Sequence, residues 1–241
     1  MKNDPAGQFI EAVENIKKFY SKKYNQKFTG FGSAWQHALD KNDPVARRNQ
    51  DLGVAIRELR NAISHTKYKN GVPIAEPRAD LVEAAEKLSE AVQNPAKIDR
   101  FMNKSPIKIN PDSTLPEIAG IISQNDFSQI PICADGRVEN LLTTNAISRW
   151  LAKSIELSGE IYEDTSTVTA NDLLQHSEGS DTPKYVKPNC PAYKVCDMLS
   201  SDIQVPAVLV TVTGDQKSEL KGIVTVADVP KILKKLRING S

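Results

Sequence analysis

Cysteine is scarce in this chain of 241 residues: Cys133, Cys190 and Cys196 form no CxxC pair, and no histidine stands at metal-ligand spacing from them. A disulfide framework needs paired cysteines and a zinc centre needs clustered Cys or His, so both are excluded, and the three thiols read as free and mostly buried. Net charge is also nearly absent. With 31 Lys and Arg against 30 Asp and Glu, a formal +1, no global field draws the chain to nucleic acid or to an anionic membrane, and any such binding must be local. Long apolar runs are missing as well. The longest, Val205 to Val210, is interrupted by Pro206 and falls far short of the ~18 residues that suggest a membrane span. Met1 to Pro5 lacks the apolar region of a secretory signal. These absences predict a soluble, cytoplasmic protein with no metal site and no membrane partner.

What is present is ordinary globular composition, 39% hydrophobic and 25% charged, with 14 Pro and 12 Gly scattered along the chain. At ~150 residues per domain the length suggests roughly 1.6 domains. The texture changes near Asn94-Pro95. Before it, apolar positions recur every three or four residues: Phe9, Val13, Ile16 and Tyr20; Phe31, Trp35, Ala38 and Leu39; Leu52, Ile56, Leu59 and Ile63; Leu81, Ala84, Ala85, Leu88 and Val92. Asp43-Pro44 reads as an N-cap followed by a first-turn proline, and Asn70-Gly71 through Pro77 as a loop. The expectation is a bundle of four helices over residues 6–94.

After Pro95, short strands alternate with amphipathic segments, and the pattern occurs twice. Pro106-Ile107-Lys108-Ile109-Asn110-Pro111 matches Pro183-Lys184-Tyr185-Val186-Lys187-Pro188 at an offset of 77. Gln129-Ile130-Pro131-Ile132 matches Gln204-Val205-Pro206-Ala207 at 75, and Asn140-Leu141-Leu142-Thr143 matches Gly222-Ile223-Val224-Thr225 at 82. The lead-in helices correspond too, Asp99 to Met102 with Asn171 to Leu174. Three blocks in register establish an internal duplication.

In each copy a strand hands over to a helix. Thr225 stands at that helix's N-cap, where its hydroxyl either serves a phosphate or caps the helix. Asp228, one turn in, either accepts hydrogen bonds from a ribose diol or is a first-turn acid favoured by the helix dipole. In the first copy Thr143 is kept, Asn140 replaces the glycine, and Ala146 stands where the aspartate is expected.

Gly222-Ile223-Val224-Thr225-Val226-Ala227-Asp228, preceded by Val205-Pro206, resembles the Gly-h-x-Thr/Ser-x-x-Asp signature of the CBS domain (the cystathionine-β-synthase module), and the pair resembles a Bateman module over residues 97–237. The resemblance implies an α+β fold, with CBS domains at 97–158 and 165–237 after the helical domain. It also implies a regulatory adenine nucleotide (AMP, ATP or a cyclic dinucleotide) in a cleft between copies, and no other cofactor. Thr225 and Asp228 are the site residues expected first; Tyr185, Val186 and Val205 are expected to line the cleft, and Thr143 to mark its counterpart.

Histidine is the other rarity, with three in the chain, and only His65 stands in a suggestive setting, Arg60-Asn61-Ala62-Ile63-Ser64-His65. At about 100° per residue, Arg60, Asn61, Ser64 and His65 fall on an arc of about 140° that misses the apolar stripe. Imidazole can move a proton at a ribose hydroxyl and guanidinium can hold charge on a phosphoryl group, so these groups suit metal-independent phosphodiester chemistry. The hexapeptide in a four-helix domain resembles the Arg-x(4 to 6)-His motif of the HEPN superfamily. That resemblance implies a homodimeric ribonuclease using Arg60, Asn61 and His65 on RNA. The alternative is a non-catalytic regulator whose helical domain dimerises or docks a partner protein.

Overall fold

A computed structural model describes residues 4–65, 67–68, 72–73, 75–126, 128–158, 164–201 and 205–238. The chain forms two compact units, Met1–Ala96 with Lys235–Ser241, and Lys97–Lys234.

The first unit is helical. Its elements are α1 (Pro5–Tyr24), α2 (Phe31–Asp40), α3 (Pro44–Arg48), α4 (Gln50–His65) and α5 (Ala79–Gln93). The third predicted helix is thus two. Asp43 caps α3 as its side chain accepts from the Val45 and Ala46 amides at 3.0 Å, but the Asn49 side chain donates to the Val45 carbonyl at 2.8 Å and competes with the backbone ladder there. A new helix then starts at Gln50. The loop expected after Asn70 carries a minimal hairpin instead, β1 (Lys67–Tyr68) antiparallel to β2 (Val72–Pro73), with Asn70 and Gly71 outside the described residues. The core follows the periodic positions: Phe9, Val13, Ile16, Tyr20, Trp35, Ile56 and Leu88 are all buried. Gly53 is needed in this packing, because a Cβ there would come within 2.1 Å of the Trp35 indole.

The second unit is α+β. Its elements are α6 (Leu115–Gln124), β3 (Gln129–Ala134), β4 (Arg137–Thr143), α7 (Thr144–Ser158), α8 (Ala170–Leu174), β5 (Lys184–Val186), α9 (Ala192–Leu199), β6 (Ala207–Thr211), β7 (Leu220–Thr225) and α10 (Val229–Leu236). In the second copy β5 runs parallel to β6, and β6 antiparallel to β7. The first copy repeats this with its first strand reduced to one parallel bridge, Ile109 to Ile132, beside the β3–β4 hairpin.

The ladders fix the repeat residue by residue. Thr143 pairs with Gln129 and Thr225 with Ala207, and the two hairpins share a bulge, after Ile132 in one and after Val210 in the other. β4 and β7 therefore correspond at the offset of 82. β3 and β6 correspond at 78 rather than the expected 75, since Gln129 is the counterpart of Ala207, not of Gln204. The shared Gln-x-Pro wording misled the register: Pro131 lies inside β3, whereas Pro206 precedes β6.

The lead-in segments are exchanged. Ile98 and Asp99 of the first copy donate their amides to the Cys190 and Pro188 carbonyls of the second; Ala170 and Asn171 of the second donate to Ser113 and Pro111 of the first. Each pair of bonds is the image of the other, the reciprocal pattern of a two-fold relation. Consequently Ala170 and Leu173, assigned by sequence to the second CBS domain, are buried in the core of the first beside Ile118, Ile132 and Trp150.

Candidate functional site

The two-fold relation brings equivalent positions together at a cavity of about 530 Å³. Asn145 and Ala227 line it from the starts of the two post-strand helices, and Ser128 and Pro206 line it from the approaches to β3 and β6. Leu199, Val205 and Val226 supply an apolar wall; Gln129, Ser201 and Thr225 supply polar groups. Val226 is 55% exposed, an apolar side chain left open at the cavity. An apolar wall opposite a few hydrogen-bonding groups is the usual form of a small-molecule site.

Thr225 ends β7 in extended conformation and caps the turn that leads into α10. Its amide donates to Asp228 Oδ2 at 2.9 Å and its hydroxyl lies 3.1 Å from the same oxygen. Asp228 thus closes a capping box, which removes one orphan donor of the helix start. Its carboxylate is half-buried.

The corresponding place in the first copy is closed. Thr143 is 4% exposed; its hydroxyl accepts from the Ala146 amide at 3.2 Å and donates to Asp181 Oδ1 at 2.5 Å. Asp181, 3% exposed, comes from the segment before β5 and supplies across space the carboxylate that Ala146 lacks. Its Oδ2 accepts from the Glu178 amide at 2.8 Å and from Arg149 Nη1 at 2.6 Å. Arg149 also donates to the His176 carbonyl at 3.1 Å and faces Glu178 at 3.3 Å. Burial alone would raise the Asp181 pKa, but the Glu178 amide, the Thr143 hydroxyl and Arg149 outweigh it and hold the carboxyl below its usual range.

The strands leading to the two threonines also differ at one position. In the second copy Ile223 exchanges amide and carbonyl with Asn103, both at 3.0 Å, and the lead-in strand passes so close to Gly222 that a Cβ there would lie 2.5 Å from the Asn103 carbonyl oxygen. In the first copy Asn140 replaces that glycine. Its own side chain accepts the Leu141 amide at 2.9 Å, in place of a neighbouring strand, and the segment after α8 follows another path, on which Asp181 meets Thr143.

Residues 98–153 match the model of the CBS domain. Protein MJ1225 of Methanocaldococcus jannaschii is 22% identical over 208 residues, covering 80% of this chain and 67% of that protein; its crystal structure superposes with a TM-score of 0.47 at 16% identity, over 73% of this chain and 63% of that one. The CBS domain pair of MJ0100, solved with 5′-methylthioadenosine and S-adenosyl-L-methionine, gives 0.44 at 17% identity over 59% and 99%. CBSX2 solved with AMP gives 0.44 at 12% over 58% and 97%.

Of the six residues expected to hold a nucleotide at the CBS pair, the cavity brings together Val205 and Thr225, with Asp228 one turn behind Thr225. Tyr185 does not join them. It packs against the inter-copy cluster of Cys133, Val138, Leu141 and Leu209, where burial raises its pKa. Val186 is buried and paired with Val210, and Thr143 is enclosed by Asp181. Among the described residues no group of His, Cys, Asp and Glu could hold a metal ion, and no helix is long and apolar enough to cross a membrane.

In the helical unit, α4 buries Leu52, Ile56 and Ile63 as its periodicity predicts. Asn61 is exposed. Arg60 leans onto α1, its Nη2 3.7 Å from Glu14, and Arg57 binds Glu58 at 2.8 Å. The guanidinium expected to hold a phosphodiester, that of Arg60, therefore faces a carboxylate. His65 ends α4, and its side chain lies outside the described residues. The chain folds into a helical part and a CBS-like part.

Proposed function

We propose that this protein is a nucleotide-sensing regulator whose CBS pair binds one adenine nucleotide in the cavity lined by Val205, Pro206 and Thr225. The observation that carries this reading is that equivalent residues of the two copies converge on one cavity at the helix start marked by Thr225. The base would lie on Leu199, Val205 and Val226. The Thr225 hydroxyl would turn to the ligand, and Asp228, whose carboxylate already faces that hydroxyl, would take the ribose diol. A ligand touching both copies binds best in one relative placement of them, and so biases an equilibrium.

The helical unit is the output in this reading. That unit would either dimerise or dock a partner protein, or act as a ribonuclease using Arg60, Asn61 and His65. Calorimetric titration with AMP, ATP and cyclic dinucleotides tests the sensor: binding at about one per chain, weakened about tenfold or more by Asp228→Ala, is expected. No binding by any of the three, or binding indifferent to Asp228→Ala and Thr225→Val alike, rejects it. Incubation with structured RNA in EDTA tests the output, since cleavage that disappears in His65→Ala would select the ribonuclease.

A further inference from the structure

We propose that the first CBS copy contains an anion site, built from the Thr143 hydroxyl, the Arg149 guanidinium and the Glu178 amide, that the chain fills with its own carboxylate, Asp181. Two donors reach this buried group from distant parts of the chain, the end of β4 and the second turn of α7, and the third is the Glu178 amide three residues back in Asp181's own segment. Such a clasp fits a planar carboxylate or one face of a phosphate, because guanidinium and hydroxyl together offer donors to more than one oxygen. Arg149 corresponds, at the offset of 82, to Lys231 of the second copy, an exposed residue. The first copy therefore keeps its cation turned onto Asp181.

Two consequences follow. Asp181 closes the half of the CBS pair in which Ala146 replaces the motif acid, so the module holds one nucleotide rather than two; this consequence rests on the reading above. The clasp itself does not rest on it. If Asp181 is removed, the same three donors remain around an empty place and accept a small external anion.

The test is thermal unfolding of the full chain and of Asp181→Ala with acetate or inorganic phosphate, against chloride at equal ionic strength. At ten times its dissociation constant, either anion is expected to raise the Tm of Asp181→Ala by roughly 3 to 6 °C, leaving the unsubstituted protein unmoved and having no effect once Arg149→Met is added. Absence of a difference between acetate or phosphate and chloride in Asp181→Ala overturns the proposal. Should that variant not fold, Asp181→Asn, which keeps the shape, serves in its place: it must be less stable than the unsubstituted chain at pH 7, and equal stability overturns the clasp. Equilibrium dialysis with AMP gives the nucleotide arm. One AMP per unsubstituted chain is expected, whereas two per unsubstituted chain refutes the closed half. If AMP does not bind the unsubstituted chain at all, the nucleotide reading fails while the anion response still decides the clasp.

Discussion

The two halves of the CBS-like unit have the same hairpin, the same bulge and the same exchanged lead-ins, yet they treat one threonine in opposite ways. Thr225 is matched with an acid three residues along its own chain; Thr143 is matched with an acid 38 residues away. The first arrangement is local and leaves the threonine at an open cavity. The second is long-range and buries it. A duplicated fold thus keeps a carboxylate beside a hydroxyl in both copies while changing where the carboxylate comes from, and that change separates a binding position from a structural one.

The comparison breaks most visibly at Arg149. Arg149→Ala leaves Asp181 buried without its cation, which costs about 3 kcal/mol and lowers the Tm by roughly 6 to 12 °C; Lys231→Ala, at the equivalent exposed position, is expected to leave melting within about 1 °C. Next in size is the glycine. Gly222→Ala drives a Cβ against the Asn103 carbonyl and is expected to cost about 2 kcal/mol by denaturant titration, whereas Asn140→Gly, which loses one local bond and adds backbone freedom, costs about 1 kcal/mol. Equal losses at the two positions would contradict the role given to that pair.

A smaller difference belongs to acid. Because the Asp181 pKa is lowered on folding, its contribution to stability is present above the ordinary carboxylate range, near pH 4, and is lost as pH falls through its lower folded value. Unfolding free energies measured from pH 5 downward should therefore decline more steeply in the unsubstituted chain than in Asp181→Asn, and parallel curves would show that Asp181 is not held as described.

Much of this was legible in the sequence, and the limits have physical causes. Helix periodicity located the bundle because one face of each helix must be buried, and the offsets of 77 and 82 survive in the ladders because strand pairing fixes them. The offset of 75 failed, since a short Gln-x-Pro match carries no pairing information. Asp181 was missed because long-range hydrogen bonds leave no local spacing. One signal pointed to it, the loss of an acid at Ala146 with retention of Thr143. Ala146 is fully buried in the core, so an aspartate could not simply stand there. Tyr185 illustrates the reverse case: alternation predicted a strand at its position, but which face of that strand meets the other copy depends on the relation between copies.

The exchanged lead-ins have a consequence for how the chain is made. Ile98 leaves the ribosome about ninety residues before Cys190, the carbonyl to which its amide must bind. At the usual speed of synthesis that interval is on the order of five to twenty seconds, for most of which the first half has neither the segment that completes its core nor the surface on which its own lead-in docks.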